Sequence, residues 1–546
     1  MKLKKRFHHR DTETQTLFID NPARRWRLGE FGLQFAALAR VMHRLPRASG
    51  PLWFKNFCFC GTTLAAPLLL LAACAVGPDY ARPTIAAPLA FKEAGDWKQA
   101  EPRDHELKGP WWEVFNDPLL NSLTEQVSIS NQNLAQSEAQ FRQARALVQA
   151  ARANYFPTVS GDVSATRSQT AQGFSRQASG SQVSTARGAT NNYSLSLAAT
   201  WEADVWGRVR RTVEANQASA QASAADLEAA RLSAQAELAQ NYFQLRALDT
   251  QKQLFDETLA GYERSLKLTQ NQYAAGVVAK ADVIQAQTQL KSTQAQAIDL
   301  GVTRAQFEHA IALLIGKPAS SFAIDPAPLA SALPGVPVAL PSDLLERRPD
   351  VAAAERRVVA ANAQIGVAKA AYFPRLTLSA TGGFQSSTVA DWLTLPSRFW
   401  SVGPALAATL FDAGLRRAQT DQAIAAYDAN VAAYRQTVLT GFKEVEDNLA
   451  ALRILEQEAQ VQDEALQFAR QSLAIVNNQY KSGTVSYLNV ITAQATALSS
   501  ERTAVDILNR RLAASVLLVK ALGGGWSAAK APAADAVAGG PPAASR

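Results

Sequence analysis

The sequence predicts a mainly α-helical protein whose few β-strands belong to a membrane β-barrel. Three observations lead to this fold class: a pattern of motifs that occurs twice, a very long stretch without proline, and short runs in which apolar and polar residues alternate. Because the motifs recur, each copy is expected to contain two strands and a set of long coiled-coil helices. One chain would then supply four strands.

The N-terminal 73 residues are interpreted as a signal segment. They carry 12 Lys and Arg against 4 Asp and Glu, while the rest of the chain is balanced at 43 of each, so the net charge of +8 predicts no nucleic-acid partner. An apolar run from about Phe57 ends at Leu71-Ala72-Ala73-Cys74, which matches the bacterial lipobox. We therefore predict lipidation at Cys74, and the alternative is a short membrane span.

The start of translation has two interpretations. Initiation at Met42 gives a signal segment of ordinary proportions, whereas initiation at Met1 adds about forty residues of mixed charge that an export signal does not need. We favour Met42, and a genuine long N-terminal region is the alternative.

The mature chain has little material for catalysis or metal binding. After removal of the signal segment, Cys74 is its only cysteine, and His105 and His309 are its only histidines. It also lacks the Gly-x-Ser-x-Gly motif of many hydrolases. We therefore predict no disulfide, no metal site, no catalytic residue, no cofactor and no enzymatic activity.

The duplication predicts the domain organisation. The motif Asn271–Tyr273 with Gly276 recurs as Asn478–Tyr480 with Gly483, 207 positions later. Tyr155-Phe156-Pro157 recurs as Tyr372-Phe373-Pro374 at a larger offset, which places an insertion in the Ser-, Gly- and Gln-rich loop 168–190. The predicted units are a signal segment 1–73, an extended lipidated segment 74–120, a first repeat 121–317, an equatorial linker 318–345, a second repeat 346–526 and a disordered tail 527–546.

Each repeat contains runs typical of membrane strands. In the first repeat, Tyr193, Leu195, Leu197, Ala199 and Trp201 alternate with mostly small polar residues, and the second repeat has the same alternation over 376–381. Outward apolar and inward polar residues are typical of a transmembrane β-barrel. A half-buried strand of a soluble sandwich is the alternative, and the lipobox favours the membrane.

The segment from Val209 to about Tyr273 contains no proline and one interior glycine, and it predicts a helix of roughly 95 Å. Its apolar positions step by three and four, as in a coiled-coil seam. The same steps recur in the second repeat, and the two seams consist of Leu259, Tyr262, Leu266, Thr269 and Tyr273, and of Leu466, Ala469, Leu473, Val476 and Tyr480. Four strands cannot close a membrane barrel, so several copies of the chain must assemble.

The segment Leu344–Glu355, with Glu346-Arg347-Arg348-Pro349-Asp350 at its centre, resembles the outer-membrane factor family of TolC-like channels. Further similarity lies at Cys74–Tyr80 and Ala521–Trp526. The pattern is most similar to the NodT-type lipoprotein branch, which serves resistance-nodulation-division efflux pumps.

The resemblance implies a homotrimer with a 12-stranded β-barrel in the outer membrane and an α-helical barrel in the periplasm. It also implies outer-membrane lipid, a periplasmic adaptor protein and an inner-membrane transporter as partners. The implied function is a passive exit channel for drugs or other small molecules. A protein-secretion duct and a lipid-anchored coiled-coil scaffold are the alternatives.

The resemblance also places a gate at the periplasmic tip of the helices. Gly276 and Gly483 are expected in the tip turns, where a positive φ is needed. The residues expected to form the gate or constriction are Tyr273, Asp282, Tyr480, Asn489 and Thr492. For Asp282 two interpretations stay open: a member of an acidic ring, or a solvated carboxylate at a helix start.

Overall fold

The computed structural model describes residues 76–85, 88, 91–94, 110–169, 189–329, 333–334 and 347–527. The signal segment, Met42, Cys74 and the tail after Ser527 lie outside the described residues. The elements, in chain order, are α1 Pro118–Ser130, α2 Gln132–Ala153, β1 Thr158–Ser168, β2 Thr190–Ala203, α3 Arg208–Ala274, α4 Lys280–Leu314, α5 Pro349–Ala370, β3 Arg375–Ser386, β4 Arg398–Ala407, α6 Leu415–Lys481 and α7 Tyr487–Ala521.

The chain is mainly helical with one small antiparallel sheet, in agreement with the coarse fold prediction. The long helices α3 and α6 each contain 67 residues, which corresponds to about 100 Å. Both α6 and α7 begin and end 207 positions after α3 and α4. The duplication seen in the motifs therefore extends to the bounds of the helices.

The first helix begins before the predicted start of the first repeat. Pro118 is its first residue, and the carboxylate of Asp117 accepts hydrogen bonds from the backbone N–H groups of Leu119 and Leu120 at 3.0 and 3.1 Å. An aspartate cap followed by proline is a strong helix start. Helix α1 therefore begins three residues before the boundary predicted for the first repeat at 121.

The sheet has the order β1-β2-β3-β4, and every neighbouring pair is antiparallel. Its register places Val163, Leu195, Phe384 and Arg398 side by side on one face. We call this the apolar face. Its large exposed side chains, 39 to 75% accessible, are Val159, Val163, Leu197, Leu378, Trp400, Val402 and Leu406. The opposite face carries mainly Ser and Thr.

The main core lies around the middle of α3. Phe243 packs against Phe115 with the ring centres 5.0 Å apart, and its neighbour Tyr242 is 2% exposed. The Tyr242 hydroxyl donates to Asp117 Oδ2 at 2.6 Å, and burial followed by this bond raises the pKa of Tyr242 to about 12. The cap of α1 is thereby tied to the core of α3.

The described segment 76–85 packs on α5 and on the start of α3. The Val76 N–H donates to the Trp206 carbonyl at 3.2 Å. A Cβ on Gly77 would lie 2.5 Å from the Cα of Gly366, so the two backbones meet where only glycines fit. Arg211 pairs with Asp79 at 2.8 Å.

None of the helices in the described ranges combines the length and the apolar character that a membrane span requires.

Candidate functional site: the tip of the long helices

Two tight turns end the long helices. Gly276 follows α3 with φ of 74° and Gly483 follows α6 with φ of 76°. In the first turn the Val277 N–H donates to the Gln272 carbonyl, and in the second the Thr484 N–H donates to the Gln479 carbonyl. These bonds form a helix C-terminal motif that requires a left-handed residue. A Cβ would meet no atom within 4 Å at either glycine, so φ rather than space selects glycine here.

A cluster of tyrosines joins the two helical hairpins beside these turns. Tyr480 is 4% exposed, and its hydroxyl lies 2.9 Å from Thr269 Oγ1 on α3. Thr269 donates its only hydroxyl hydrogen to the Ser265 carbonyl, so Tyr480 is the donor between the two side chains. Tyr487, 1% exposed, packs on Tyr480 with the ring centres 5.4 Å apart.

The equivalent tyrosine of the first repeat has a different environment. Tyr273 corresponds to Tyr480 at the offset of 207, yet it is 46% exposed. Thr269 corresponds to Val476, which has no hydroxyl. The described chain therefore has a buried, hydrogen-bonded tyrosine on one side of its tip and an open one on the other.

The other predicted gate residues lie near the same turns. Asp282 is in the first turn of α4, and its Oδ2 accepts from the backbone N–H of Ala279 at 3.3 Å. Asn489 and Thr492 are exposed on α7, where the Thr492 hydroxyl donates to the Leu488 carbonyl. Of the five side chains, Tyr480 is buried and lies within the electrostatic influence of Asp282. Tyr273, Asn489 and Thr492 lie at the surface of this chain.

The buried phenols stay neutral well beyond neutral pH. Burial is the main cause that raises the pKa of Tyr480, and the nearby charge of Asp282 acts in the same direction. Burial also raises the pKa of Tyr487. Both side chains therefore keep their hydroxyl hydrogens, and Tyr480 can hold its bond to Thr269 throughout the physiological range.

A cleft of about 610 Å³ lies between α3, α6 and α7 above the tyrosine cluster. Charged side chains from all three helices line it, and its apolar lining includes Tyr262, Leu268 and Leu473; the charged set is Glu257, Arg264, Arg470, Lys481 and Glu501. Gln494 is 7% exposed, and its Oε1 has no hydrogen-bond partner within the described chain. The cleft thus combines charged and apolar side chains.

The tip has no arrangement suited to metal chemistry. Among the residues that the structure describes, no three His, Cys, Asp or Glu side chains converge as ligands. The groups present offer hydrogen bonds, apolar contact and fixed charge.

Sequence reasoning missed two residues of this cluster. The apolar spacing places Thr269 in the helical seam, and no sequence pattern marks Tyr487. The offset of 207 places Lys280 opposite Tyr487 and Val476 opposite Thr269. A position-by-position comparison of the two repeats identifies both residues, because each differs in chemical type from its equivalent in the other repeat.

The sequence pattern of the outer membrane efflux protein family matches residues 123–317 and 340–524. The chain belongs to this family. It is 33% identical to the solvent efflux pump outer membrane protein SrpC of Pseudomonas putida, over 84% of this chain and 97% of that protein. The pyoverdine export outer membrane protein OpmQ of Pseudomonas aeruginosa is 31% identical, over 85% of this chain and 96% of that protein.

The fold is also similar to a solved structure of the outer-membrane channel OprN. The TM-score is 0.77 at 32% identity, and the match covers 83% of this chain and all of that one. The predicted resemblance to TolC-like channels is therefore confirmed, and so is an outer-membrane efflux channel function.

Proposed function

We propose that this outer-membrane exit channel is built from three copies of the chain, whose sheets close into one 12-stranded barrel. The observation that carries the proposal is the single sheet with β1 and β4 at its open edges and an exposed apolar face. Open strand edges cannot face lipid, because their backbone groups would lack partners. Pairing β4 of one protomer with β1 of the next satisfies both edges.

The helices, like the sheet edges, carry a surface that needs a partner from another protomer. Ile454, Val461, Phe468 and Ile475 recur every seven residues on α6 and are 52 to 69% exposed. We call these four residues the open α6 stripe. The stripe is separate from the seam formed by Leu466, Ala469, Leu473, Val476 and Tyr480. An apolar heptad stripe requires a partner helix, and α4 carries an exposed stripe of its own, formed by Ile284, Ile298, Val302 and Leu313. We assign the contact to α6 of one protomer and α4 of its neighbour.

The cleft between α3, α6 and α7 is the proposed docking groove for the periplasmic adaptor protein. An amphipathic helix fits such a groove by placing apolar side chains on Leu473 and Tyr262 and polar ones on the charged rim. An inner-membrane resistance-nodulation-division transporter completes the proposed tripartite system.

Lipidation of Cys74 is part of the same proposal. Val76, two positions later, is bonded to Trp206 beside the end of β2. A lipid on Cys74 would therefore start close to the base of the sheet, where a second anchor adds to the barrel.

The proposed cargo is drugs or other small molecules, delivered by the pump and passed without chemical change.

Planar-bilayer recording tests the channel and its proposed acidic ring together. We expect discrete conductance steps from the purified full-length trimer, and we expect Asp282→Asn to lower cation preference and to weaken block by multivalent cations. The asparagine keeps the cap on Ala279 but removes a charge from a narrow passage, where the field is concentrated. Asn489→Asp should strengthen the block.

A trimer that inserts without conducting would favour the scaffold alternative. Translocation of an unfolded polypeptide through the open channel would favour the protein-secretion duct. Unchanged selectivity and block in both variants would leave Asp282 as a helix cap alone.

The Tyr480–Thr269 bond is the proposed latch of the closed tip. We expect Tyr480→Phe to raise the resting leak of the channel, because each protomer loses a buried hydrogen bond worth about 1 kcal/mol. Tyr273→Phe removes the equivalent hydroxyl at the exposed position of the other repeat, and Tyr480→Phe should raise the leak more than Tyr273→Phe does. Equal leak in all three proteins, measured as conductance at low voltage, would refute the latch.

A further inference from the structure

The edge strands carry arginines on the apolar face at the rim away from the helices. Arg167 is the last but one residue of β1 and pairs with Asn191, and Arg398 is the first residue of β4 and pairs with Phe384. Within the four described strands, these two are the only charged residues on the apolar face. The charged residues of the opposite face are Asp162, Glu202 and Arg375.

The loop 387–397 adds an apolar shelf beside this rim. The Trp392 ring lies 6.0 Å from the ring of Tyr193, a residue of the apolar face, so the loop turns toward that face. Val389, Leu393 and Leu395 are 62 to 76% exposed. Tyrosine and tryptophan at this level are typical of the boundary between lipid tails and headgroups.

The acidic residue of this loop, Asp391, is hydrogen-bonded within the loop. Asp391 accepts the Thr388 hydroxyl on its carboxylate at 2.7 Å, and its carbonyl accepts the hydroxyls of Thr394 and Ser397 at 2.7 and 2.6 Å. No ion pair of Arg167 or Arg398 occurs among the described residues. The rim therefore presents positive charge without a built-in counter-ion from the part of the chain that the structure describes.

Barrel closure brings these positive charges to a shared seam. In the proposed trimer, on which this step rests, β4 of one protomer lies beside β1 of the next. The two rim arginines then lie on the same face and beside the same seam. Like charges on neighbouring strands repel each other, whereas guanidinium groups bind phosphate through paired, charge-assisted hydrogen bonds.

We propose that each seam binds a phosphorylated, multiply acylated lipid of the outer leaflet. Its phosphate lies between Arg398 of one protomer and Arg167 of the next. Its acyl chains lie on the apolar face below, over Trp400, Val402 and Val163. Lipid is favoured over a soluble phosphate because the arginines border exposed apolar surface on the side that faces the membrane.

Native mass spectrometry of the purified full-length protein tests the site. The probe is a bis-phosphorylated, multiply acylated disaccharide lipid added to the delipidated trimer. We expect the double variant Arg167→Gln with Arg398→Gln to retain it at least about tenfold less than the unmodified trimer, because both charge-assisted contacts are lost. Arg375→Gln is the matched control, since it removes one positive charge from a strand on the opposite face.

The same lipid without its phosphates should be retained poorly by the unmodified trimer, and inorganic pyrophosphate should not displace the phosphorylated lipid. Equal retention of the two lipids, equal retention by the double variant, or displacement by pyrophosphate would each overturn the lipid site. The spectra also report the oligomeric state. Absence of a trimer would count against the proposed assembly. A trimer that retains the lipid equally with and without the two arginines would count against this site alone.

Discussion

Phe468→Glu is expected to abolish the proposed trimer. Phe468 lies in the open α6 stripe with Ile454, Val461 and Ile475, and it is 66% exposed in the single chain. In the proposed seam a glutamate there would be buried without a partner, at a cost of roughly 3–5 kcal/mol for each of three seams. Size-exclusion chromatography with light scattering should report monomers.

Gln467→Glu is the matched control for this substitution. It adds the same charge at the neighbouring position, which is exposed and belongs to neither stripe of α6. The trimer should persist in this variant. A trimer of unchanged stability in Phe468→Glu would mean that α6 uses another face for assembly, and circular dichroism of both variants would establish that their helices are intact.

Asp249→Ala is expected to destabilise the middle of the molecule. The Asp249 side chain is 3% exposed and accepts hydrogen bonds from Arg304 Nε at 2.6 Å, from Arg246 at 3.2 Å and from the Ala327 N–H at 3.1 Å. Both arginines also donate to backbone carbonyls of the same linker segment, at Asp325 and Ile324. The aspartate therefore joins α3, α4 and the linker.

Removal of this carboxylate leaves the buried Arg246 without a counter-ion and Arg304 with Glu308 alone, at 3.4 Å. Loss of a buried ion pair typically costs about 3–5 kcal/mol. We expect a lower urea midpoint and faster protease cleavage within 322–329. Asp256→Ala is the control on the same helix, because Asp256 pairs with Lys252 at the surface, and such pairs contribute about 1 kcal/mol or less. Equal midpoints for the two variants would show that the Asp249 network does not stabilise the linker.

The sequence predicted the local features whose cause is local. Gly276 and Gly483 follow from the positive φ that ends each long helix. The strand alternation predicted which residues share the apolar face, because side chains alternate strictly along a strand. For Asp282 the sequence allows two interpretations. Its carboxylate accepts the Ala279 N–H at the start of α4, and the acidic ring stays a prediction.

The sequence did not predict features that depend on burial. Arg246, Asp249 and Arg304 are charged residues on long helices, and by pattern alone such residues are assigned to solvent. Their burial arises because the linker folds back across α3 and α4. Nothing in the spacing of the three residues indicates this packing, since the linker contributes backbone groups that any sequence has.

The motif Asn-Gln-Tyr with a following glycine is the same in both repeats, and it determined by itself that each long helix ends in a tight turn. It also determined, through the constant offset, that α6 and α7 repeat α3 and α4. The different environments of Tyr273 and Tyr480 were decided by the tertiary structure. The second hairpin packs on α3 through α7 and places Tyr480 against Thr269, whereas Tyr273 is 46% exposed in this chain. A duplicated sequence fixes equivalent local structure, but each copy has different neighbours, and burial depends on the neighbours.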